Sequence, residues 1–369
     1  MSVVAFLLPH LRVLNPVADL KVLANTQNSD LLLPWNLNIK LFPVGIERAI
    51  RPWLDFLALW SMYKLFKAAK PDAVHTITPK AGLLGMIAAW MAGVPVRVHS
   101  FTGQVWVTKS GVMRYVLMAA DFLIAYFATD ILVDSPSQRQ FLIDHRIIKA
   151  CKSQVLGPGS ICGVDIQRFK PDSDDRQALR DELGVSDNQI LLLYLGRLNR
   201  DKGVLDLADA FNLLAEKNQS LVLIMVGPDE EDLSIKINSK CENFTDRVIH
   251  RGFTNTPERY MRAADLFCLP SYREGFGSSV IEAAASATPT IASKIYGLTD
   301  AVVDEQTGWL HRPGDVQDLA FKISYAASDI KRLHMVGNQA RAHVTNKFSQ
   351  ELITGAMLNF YSKRFPNIS

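Results

Sequence analysis

The sequence predicts an α/β protein of two doubly wound domains. Three observations carry this. Short apolar runs of strand length alternate with stretches of helical character in both halves of the chain. A polar, charged stretch from Asp172 to Asp187 interrupts the pattern once. The length, 369 residues, suits two domains of ordinary size.

In the first half Val3 to Leu8, Leu31 to Pro34, Ala73 to Thr76, Val96 to Ser100, Asp130 to Asp134 and Ser153 to Leu156 read as strands. Between them the clearest helices are Trp53 to Ala69 and Gly82 to Met91. No basic segment precedes the first apolar run and Pro9 cuts it short, so Met1 to His10 reads as a first strand and not a signal peptide. The second half repeats the alternation: strands Ile190 to Leu195, Leu221 to Val226, Val248 to Gly252, Leu266 to Leu269 and Thr290 to Ala292, with helices Gly203 to Glu216, Glu231 to Cys241, Pro257 to Ala263 and Ser279 to Ala287. The boundary falls near Gly163-Val164-Asp165…Phe169-Lys170-Pro171-Asp172, giving domains 1–168 and 169–349. A last helix, about Gln350 to Lys363, is apolar on the stripe Leu352, Ile353, Met357, Phe360 and Tyr361.

The composition, 48% hydrophobic and 21% charged, is that of a soluble globular protein. Four cysteines without close pairing or zinc-type spacing point to a reduced, cytoplasmic chain. The longest uncharged apolar run, Ala81 to Val96, is broken by Gly85, Gly93 and Pro95 and is too short to span a membrane. Net charge is +3, but residues 1–150 hold 15 Lys and Arg against 9 Asp and Glu, a net of +6, which leaves −3 for the rest. The basic half is either ordinary solubilising charge or the mark of an anionic partner, such as a phosphate-bearing acceptor or a membrane surface.

The most informative stretch is Ser271-Tyr272-Arg273-Glu274-Gly275-Phe276-Gly277-Ser278-Ser279-Val280-Ile281-Glu282, where a buried strand hands over to a helix. A helix start leaves backbone N–H groups unpaired and its dipole favours an anion. Gly275 and Gly277 let a phosphate or sugar approach the main chain, and Glu274 and Glu282 bracket the site. Carboxylates beside a phosphate cradle suit hydroxyl groups, so a nucleotide-diphospho-sugar fits the whole arrangement. Solvated glutamates at a helix start are the bland alternative for the Glu pair alone.

The full string resembles the Glu-Gly-Phe-Gly…Glu signature of the retaining family 4 glycosyltransferases, which have the GT-B fold: two Rossmann-like domains facing across a cleft, with a C-terminal helix, here 350–366, crossing back to the first. The resemblance implies that Glu274 holds hydroxyls of the donor sugar and Glu282 the ribose. In Gly196-Arg197-Leu198-Asn199-Arg200-Asp201-Lys202-Gly203, which follows a strand and opens a helix, it implies that Arg197 and Lys202 bind the donor diphosphate in place of a divalent metal. Catalysis then rests on Arg197, Lys202 and Glu274, with Gly196, Gly227, Phe253, Gly275, Phe276, Gly277, Ser278 and Glu282 around the donor. Phe253 ends a strand and reads either as a nucleobase contact or as core. No cofactor and no metal are implied. Asp172-Ser173-Asp174 copies a metal motif of another transferase fold but lacks a strand before it.

On the acceptor side, His75-Thr76-Ile77-Thr78-Pro79-Lys80-Ala81-Gly82 places Lys80 at a helix start with Thr78 before it, and His99-Ser100-Phe101-Thr102-Gly103 ends the next strand. Lys80, Thr78, His99, Thr102 and Gly103 are the acceptor candidates. Two departures from the family stand here: Thr102-Gly103 where many members carry a His, and Pro9-His10-Leu11 where many have a Gly-Gly loop. Segments such as Thr78 to Gly82 and Phe101 to Trp106 look like bacterial enzymes building O-antigen or capsule repeat units. That implies a UDP-sugar donor (UDP-N-acetylhexosamine or UDP-galactose), a polyprenyl-diphosphate-linked acceptor and a peripheral place on the inner face of the cell membrane. Alternatives are a UDP-sugar 2-epimerase of the same fold or a non-catalytic sugar-nucleotide-binding subunit. Trp53, Phe56, Trp60, Tyr63 and Phe66, with Arg51, Lys64, Lys67 and Lys70, read either as a core-facing stripe or as an interfacial surface; Arg114 to Phe127, with Lys109, is a second such stretch.

Overall fold

A computed structural model describes residues 3–26, 28, 32–37, 39–47 and 50–366. The chain forms two compact units, residues 1–162 with 350–369, and residues 163–349.

The first unit runs α1 (Leu8–Leu14), β1 (Lys21–Ala24), β2 (Lys40–Pro43), α2 (Pro52–Ala69), β3 (Ala73–Thr76), α3 (Pro79–Ala92), β4 (Val96–Phe101), α4 (Gly111–Phe127), β5 (Asp130–Val133), α5 (Pro136–Asp144) and β6 (Ser153–Val155). Strands β3-β4-β5-β6 form a parallel sheet in sequence order, and β1 and β2 pair in parallel as a separate ribbon. The run Val3 to Leu8, expected as a strand, is instead a π-helical turn (Val3–Leu7) leading into α1. A short apolar run does not by itself separate strand from buried helix. Pro9 falls in the first turn of α1, where its missing N–H costs nothing, so it opens a helix instead of closing a strand. The other weak strand also fails: Leu33–Trp35 is a 3-10 turn, and Leu31 lies outside the described residues.

The second unit runs α6 (Ser173–Leu183), β7 (Ile190–Leu195), α7 (Val204–Ala215), β8 (Leu221–Val226), α8 (Leu233–Lys240), β9 (Val248–Arg251), α9 (Pro257–Ala263), β10 (Leu266–Leu269), α10 (Ser278–Ala285), β11 (Thr290–Ser293), α11 (Leu298–Ala301), β12 (Gly308–His311), α12 (Val316–Ala327) and α13 (Ile330–Lys347). Its six parallel strands are ordered β12-β11-β10-β7-β8-β9. Strands β8, β10, β11 and β12 are buried at every residue, as a sheet covered on both faces requires.

The polar stretch after Asp172, which interrupts the pattern in the sequence, is itself helical. It is α6, capped by Asp172, whose carboxylate accepts from the Asp175 N–H at 3.0 Å, and closed by Gly184. One side of α6 is anchored inside: Arg180, buried, donates to Asp265 and to the carbonyls of Ala263, Ser186 and Gln189. The boundary falls at 162/163, six residues before the expected 168/169, because Val164 pairs with Ser349 and Phe169 packs in the second unit's core.

The last helix, α14 (Gln350–Ser362), belongs to the first unit, as a crossing C-terminal helix requires. Its Met357, Phe360 and Tyr361 pack on Val98, Leu132 and Leu156, whereas Leu352 is exposed. The Tyr361 hydroxyl meets His75 Nδ1 at 2.9 Å.

Candidate active site

In the second unit the strand order reverses between β7 and β10, since β8 and β9 continue on one side of β7 and β10 to β12 on the other. Ligands in such sheets bind outside the carboxyl ends of the strands at this reversal. The segments leaving those two ends are residues 196–203 and 270–277.

These segments are held together along their length. The Tyr272 N–H donates to the Asp201 carbonyl at 2.9 Å, Arg273 pairs with Asp201 at 3.2 Å, and Lys202 pairs with Glu274. Ser271 Oγ also donates to Glu274, at 3.0 Å. Contact is so close at Gly203 (φ +66°) that a Cβ there would stand 2.0 Å from the Pro270 carbonyl oxygen. Gly227 (φ +141°), after β8, approaches Gly196 equally closely, with a Cβ position 2.0 Å from the Gly196 oxygen. The glycines are therefore needed to bring three loops together.

Arg197 is partly exposed, and its guanidinium donates to Glu230 at 2.7 Å. Beneath it the buried Tyr194 hydroxyl donates to the Arg197 carbonyl at 2.7 Å, and burial holds that phenol well above its ordinary pKa. Two cations thus sit at the switch point, each beside a carboxylate. Gly277, left-handed at φ +84°, starts α10, and Ser278 is its first residue. Just over one turn into α10 stands the half-buried Glu282, whose side chain makes no hydrogen bond among the described residues. Burial pushes the Glu282 carboxyl up to about 7; Arg168 opposes this and Glu258 adds to it. A carboxyl of this kind, without a hydrogen-bond partner of its own, can accept a pair of ligand hydroxyls.

Most of the predicted donor residues therefore gather in one place. One reads differently, and another is narrowed. Phe276 is buried and packs at a tilt against Phe348, ring centroids 5.0 Å apart, so its side chain belongs to the core. Phe253 is 60% exposed after β9, which removes the core alternative. Glu230, Asn199, which donates to Glu230 at 3.3 Å, and the Arg168–Glu258 pair were not anticipated. Glu230 comes two residues after the Val226-Gly227-Pro228 turn, and nothing in that spacing marks it as Arg197's partner.

In the first unit Lys80 is the second residue of α3 and forms an ion pair with Asp55 of α2 at 2.5 Å. Thr78 precedes that helix and is exposed. The Thr102 carbonyl accepts from both Gln104, at 2.9 Å, and Gln138, which pins the turn that includes Gly103. His99 is not an acceptor contact. It is 1% exposed, its Nδ1 meets Thr76 Oγ1 at 2.8 Å, and its ring lies edge-on to Phe101. Burial, aided by neighbouring His75, drives its pKa down to about 3, so it stays neutral. Beside it, unpredicted from sequence, a cavity of about 10 Å³ is lined in part by His10, Ser100, Asp134 and Ser160, and burial raises Asp134 to about 8.

Two α/β units, the second with a cation-and-carboxylate cluster at its switch point, define a glycosyltransferase of the GT-B architecture. The family described as glycosyl transferases group 1 matches residues 175–343, and a glycosyl transferase 4-like domain matches residues 29–159. A capsular polysaccharide biosynthesis glycosyltransferase, CapM of Staphylococcus aureus, is 30% identical over 320 residues, 86% of this chain and 84% of that one. An Escherichia coli UDP-Gal:α-D-GlcNAc-diphosphoundecaprenol α-1,3-galactosyltransferase is 29% identical over 80% of this chain and 76% of its own. Among solved structures, Anabaena HepE in complex with UDP and glucose superposes with a TM-score of 0.80 at 23% identity, covering 96% of this chain and 95% of that one. The chain belongs to the family 4 glycosyltransferases.

Proposed function

We propose that this glycosyltransferase moves a sugar from a UDP-sugar to a polyprenyl-diphosphate-linked saccharide in surface polysaccharide synthesis, retaining the anomeric configuration and needing no metal. The observation that carries the donor half is the Lys202–Glu274 pair closing the two switch-point loops just before α10, with Arg197 on the same loop as Lys202 and Glu282 just over one turn into α10. The lipid-linked acceptor follows the E. coli relative, and UDP fits that relative's donor and the ligand of the HepE structure.

In this reading the ribose hydroxyls donate to Glu282 and the base lies by exposed Phe253. The diphosphate takes Arg197, Lys202 and the main-chain N–H groups from Gly275 to Ser278, near Gly196 and Gly227. These groups stabilise charge that grows on the leaving diphosphate, each worth about 3 kcal/mol. Glu274 accepts hydroxyls of the transferred sugar, with Lys202 fixing its carboxylate. The acceptor hydroxyl attacks the face from which the diphosphate departs; no protein nucleophile is invoked. In the first unit Lys80, Thr78, Thr102 and Gly103 take the acceptor's diphosphate and first sugar, and the enzyme works as a peripheral protein at the inner membrane face. No helix among the described residues is long and apolar enough to cross a membrane.

The test supplies purified enzyme with a panel of UDP-sugars and an undecaprenyl-diphosphate sugar in excess chelator. An α-linked product formed at the metal-replete rate supports the reading. Activity restored only by Mn²⁺ or Mg²⁺, or an inverted product, overturns the corresponding part of it.

A further inference from the structure

Helix α4 is apolar around most of its circumference, yet only one side of it is covered. Asp121, Ile124 and Ala125 are buried, while Val112, Tyr115, Val116, Phe122, Leu123 and Tyr126 are exposed. Those six fall at i, i+3, i+4, i+10, i+11 and i+14, a continuous helical stripe turned to solvent. Tyr115 is 70% exposed and Tyr126 66%. Soluble proteins rarely leave an apolar stripe of this length bare without a partner.

A second bare face lies on α2, and α3 packs between the two helices. Of the aromatic series in α2, Phe66 and Met62 are buried, which settles the core-facing side, while Trp53 (70%), Phe56 and Trp60 stand outside. Lys64 lies over the Trp60 ring at 5.7 Å, and Lys67 and Lys70 continue from it toward the helix end, all three exposed. Lys109 precedes α4 and is exposed, whereas Arg114 lies over the buried Trp106 ring on the covered side. The two helices hold only two carboxylates, and neither offers a free negative charge: Asp55 is paired to Lys80, and Asp121 accepts from Trp106 Nε1 at 2.8 Å in the interior.

We propose that the outer faces of α2 and α4 together form the surface by which the first unit docks on an anionic lipid bilayer, aromatics in the headgroup boundary and lysines on the phosphates. Amphipathic aromatics with flanking cations and no competing acid suit that interface. A second copy of the chain suits it poorly, because a two-fold contact would set the same lysines against each other. The proposal rests on the lipid-linked acceptor reading only for why a bilayer is near; docking itself needs neither substrate.

The experiment is sedimentation of the full chain with vesicles of phosphatidylcholine, alone or mixed equally with phosphatidylglycerol, at low and high salt, without donor or acceptor. Binding is expected with the anionic vesicles and should weaken as salt rises. The double variant Phe122→Ser/Tyr126→Ser should weaken it about tenfold or more, from lost apolar burial. Lys64→Gln/Lys67→Gln should weaken it roughly fivefold for each charge. UDP affinity and melting temperature should stay at wild-type values in both, which separates lost docking from lost folding. Failure of wild-type protein to bind at low salt overturns the proposal, as does binding that neither double variant changes. A wild-type dimer that Phe122→Ser/Tyr126→Ser turns into a monomer would assign the face to a second copy instead. If vesicles bind but no lipid-linked acceptor is ever used, the functional reading fails and the docking face stands.

Discussion

Lys202 and Glu274, 72 residues apart in sequence, form an ion pair at the point where two loops of the second unit close on each other. Both side chains are mostly covered, 20% and 14% exposed, so the pair is shielded from water more than a surface salt bridge would be. The consequence is that a cation already fixes the orientation of the Glu274 carboxylate.

Glu274→Gln keeps the shape of the side chain and its Ser271 bond but removes the charge that the proposed function sets against sugar hydroxyls. Turnover should fall by about a hundredfold or more, since the contact strengthens in the transition state. UDP affinity should change little. Calorimetric titration with UDP beside a turnover assay reads both; a parallel loss of UDP affinity would show that Glu274 holds the nucleotide and not the sugar.

Glu282 predicts a pH signature. Its carboxyl is raised to about 7 in the fold, so a ligand whose hydroxyls donate to the ionised form should release a proton on binding. UDP affinity should therefore rise with pH up to about 7 and level off above it, and Glu282→Gln should lack that component. The sign for stability is opposite. A folded pKa above the unfolded value stabilises fully below the ordinary Glu range, and that contribution is lost as pH rises through about 7. Uptake of protons on UDP binding by wild-type enzyme, corrected for the nucleotide itself, would refute the ribose assignment.

The loop closure can be broken by one methyl group. Gly203→Ala would place Cβ 2.0 Å from the Pro270 oxygen on a left-handed backbone, so the loops 196–203 and 270–277 must part. The expected loss is more than about 1 kcal/mol of stability, together with much weaker UDP binding. Gly252→Ala, where nothing lies within 4 Å, should be silent in both. Equal melting temperatures and UDP affinities for the two variants would mean the loops tolerate separation.

What could be read from sequence follows physical lines. The strands Ile190 to Leu195, Leu221 to Val226 and Leu266 to Leu269 were legible because parallel strands covered on both faces form unbroken apolar runs. Val3 to Leu8 has the same look but no such sheet around it, and it folded as helix. That Lys202 and Glu274 belong to one site was legible only through family resemblance; their ion pair, and that of Glu230 with Arg197, were not, since contacts 72 and 33 residues long leave no periodic trace. His99 was misread because position near a strand end does not tell which face the side chain takes. The aromatic series of α2 was ambiguous for a related reason: a helix rich in apolar residues all round does not say which side the protein will cover.

Lys80 offers the sharpest test of the acceptor side. It stands at the second position of α3, where the helix start favours an anion, but Asp55 already occupies its ammonium at 2.5 Å. If Lys80 serves the acceptor's diphosphate, Asp55 is its competitor, and the two residues have opposite effects when removed. Lys80→Ala should raise KM for a diphosphate-lipid acceptor and leave hydrolysis of the UDP-sugar unchanged, because the donor is assigned to the other unit. Asp55→Asn, which frees the ammonium, should lower that KM or leave it unmoved. A purely structural pair predicts another pattern: both variants would lose stability together, by up to about 1 kcal/mol for a partly exposed bridge, with no change in acceptor KM. Acceptor kinetics and thermal melts on the two variants therefore decide the role of Lys80, and equal damage to donor hydrolysis in Lys80→Ala would remove it from the acceptor site altogether.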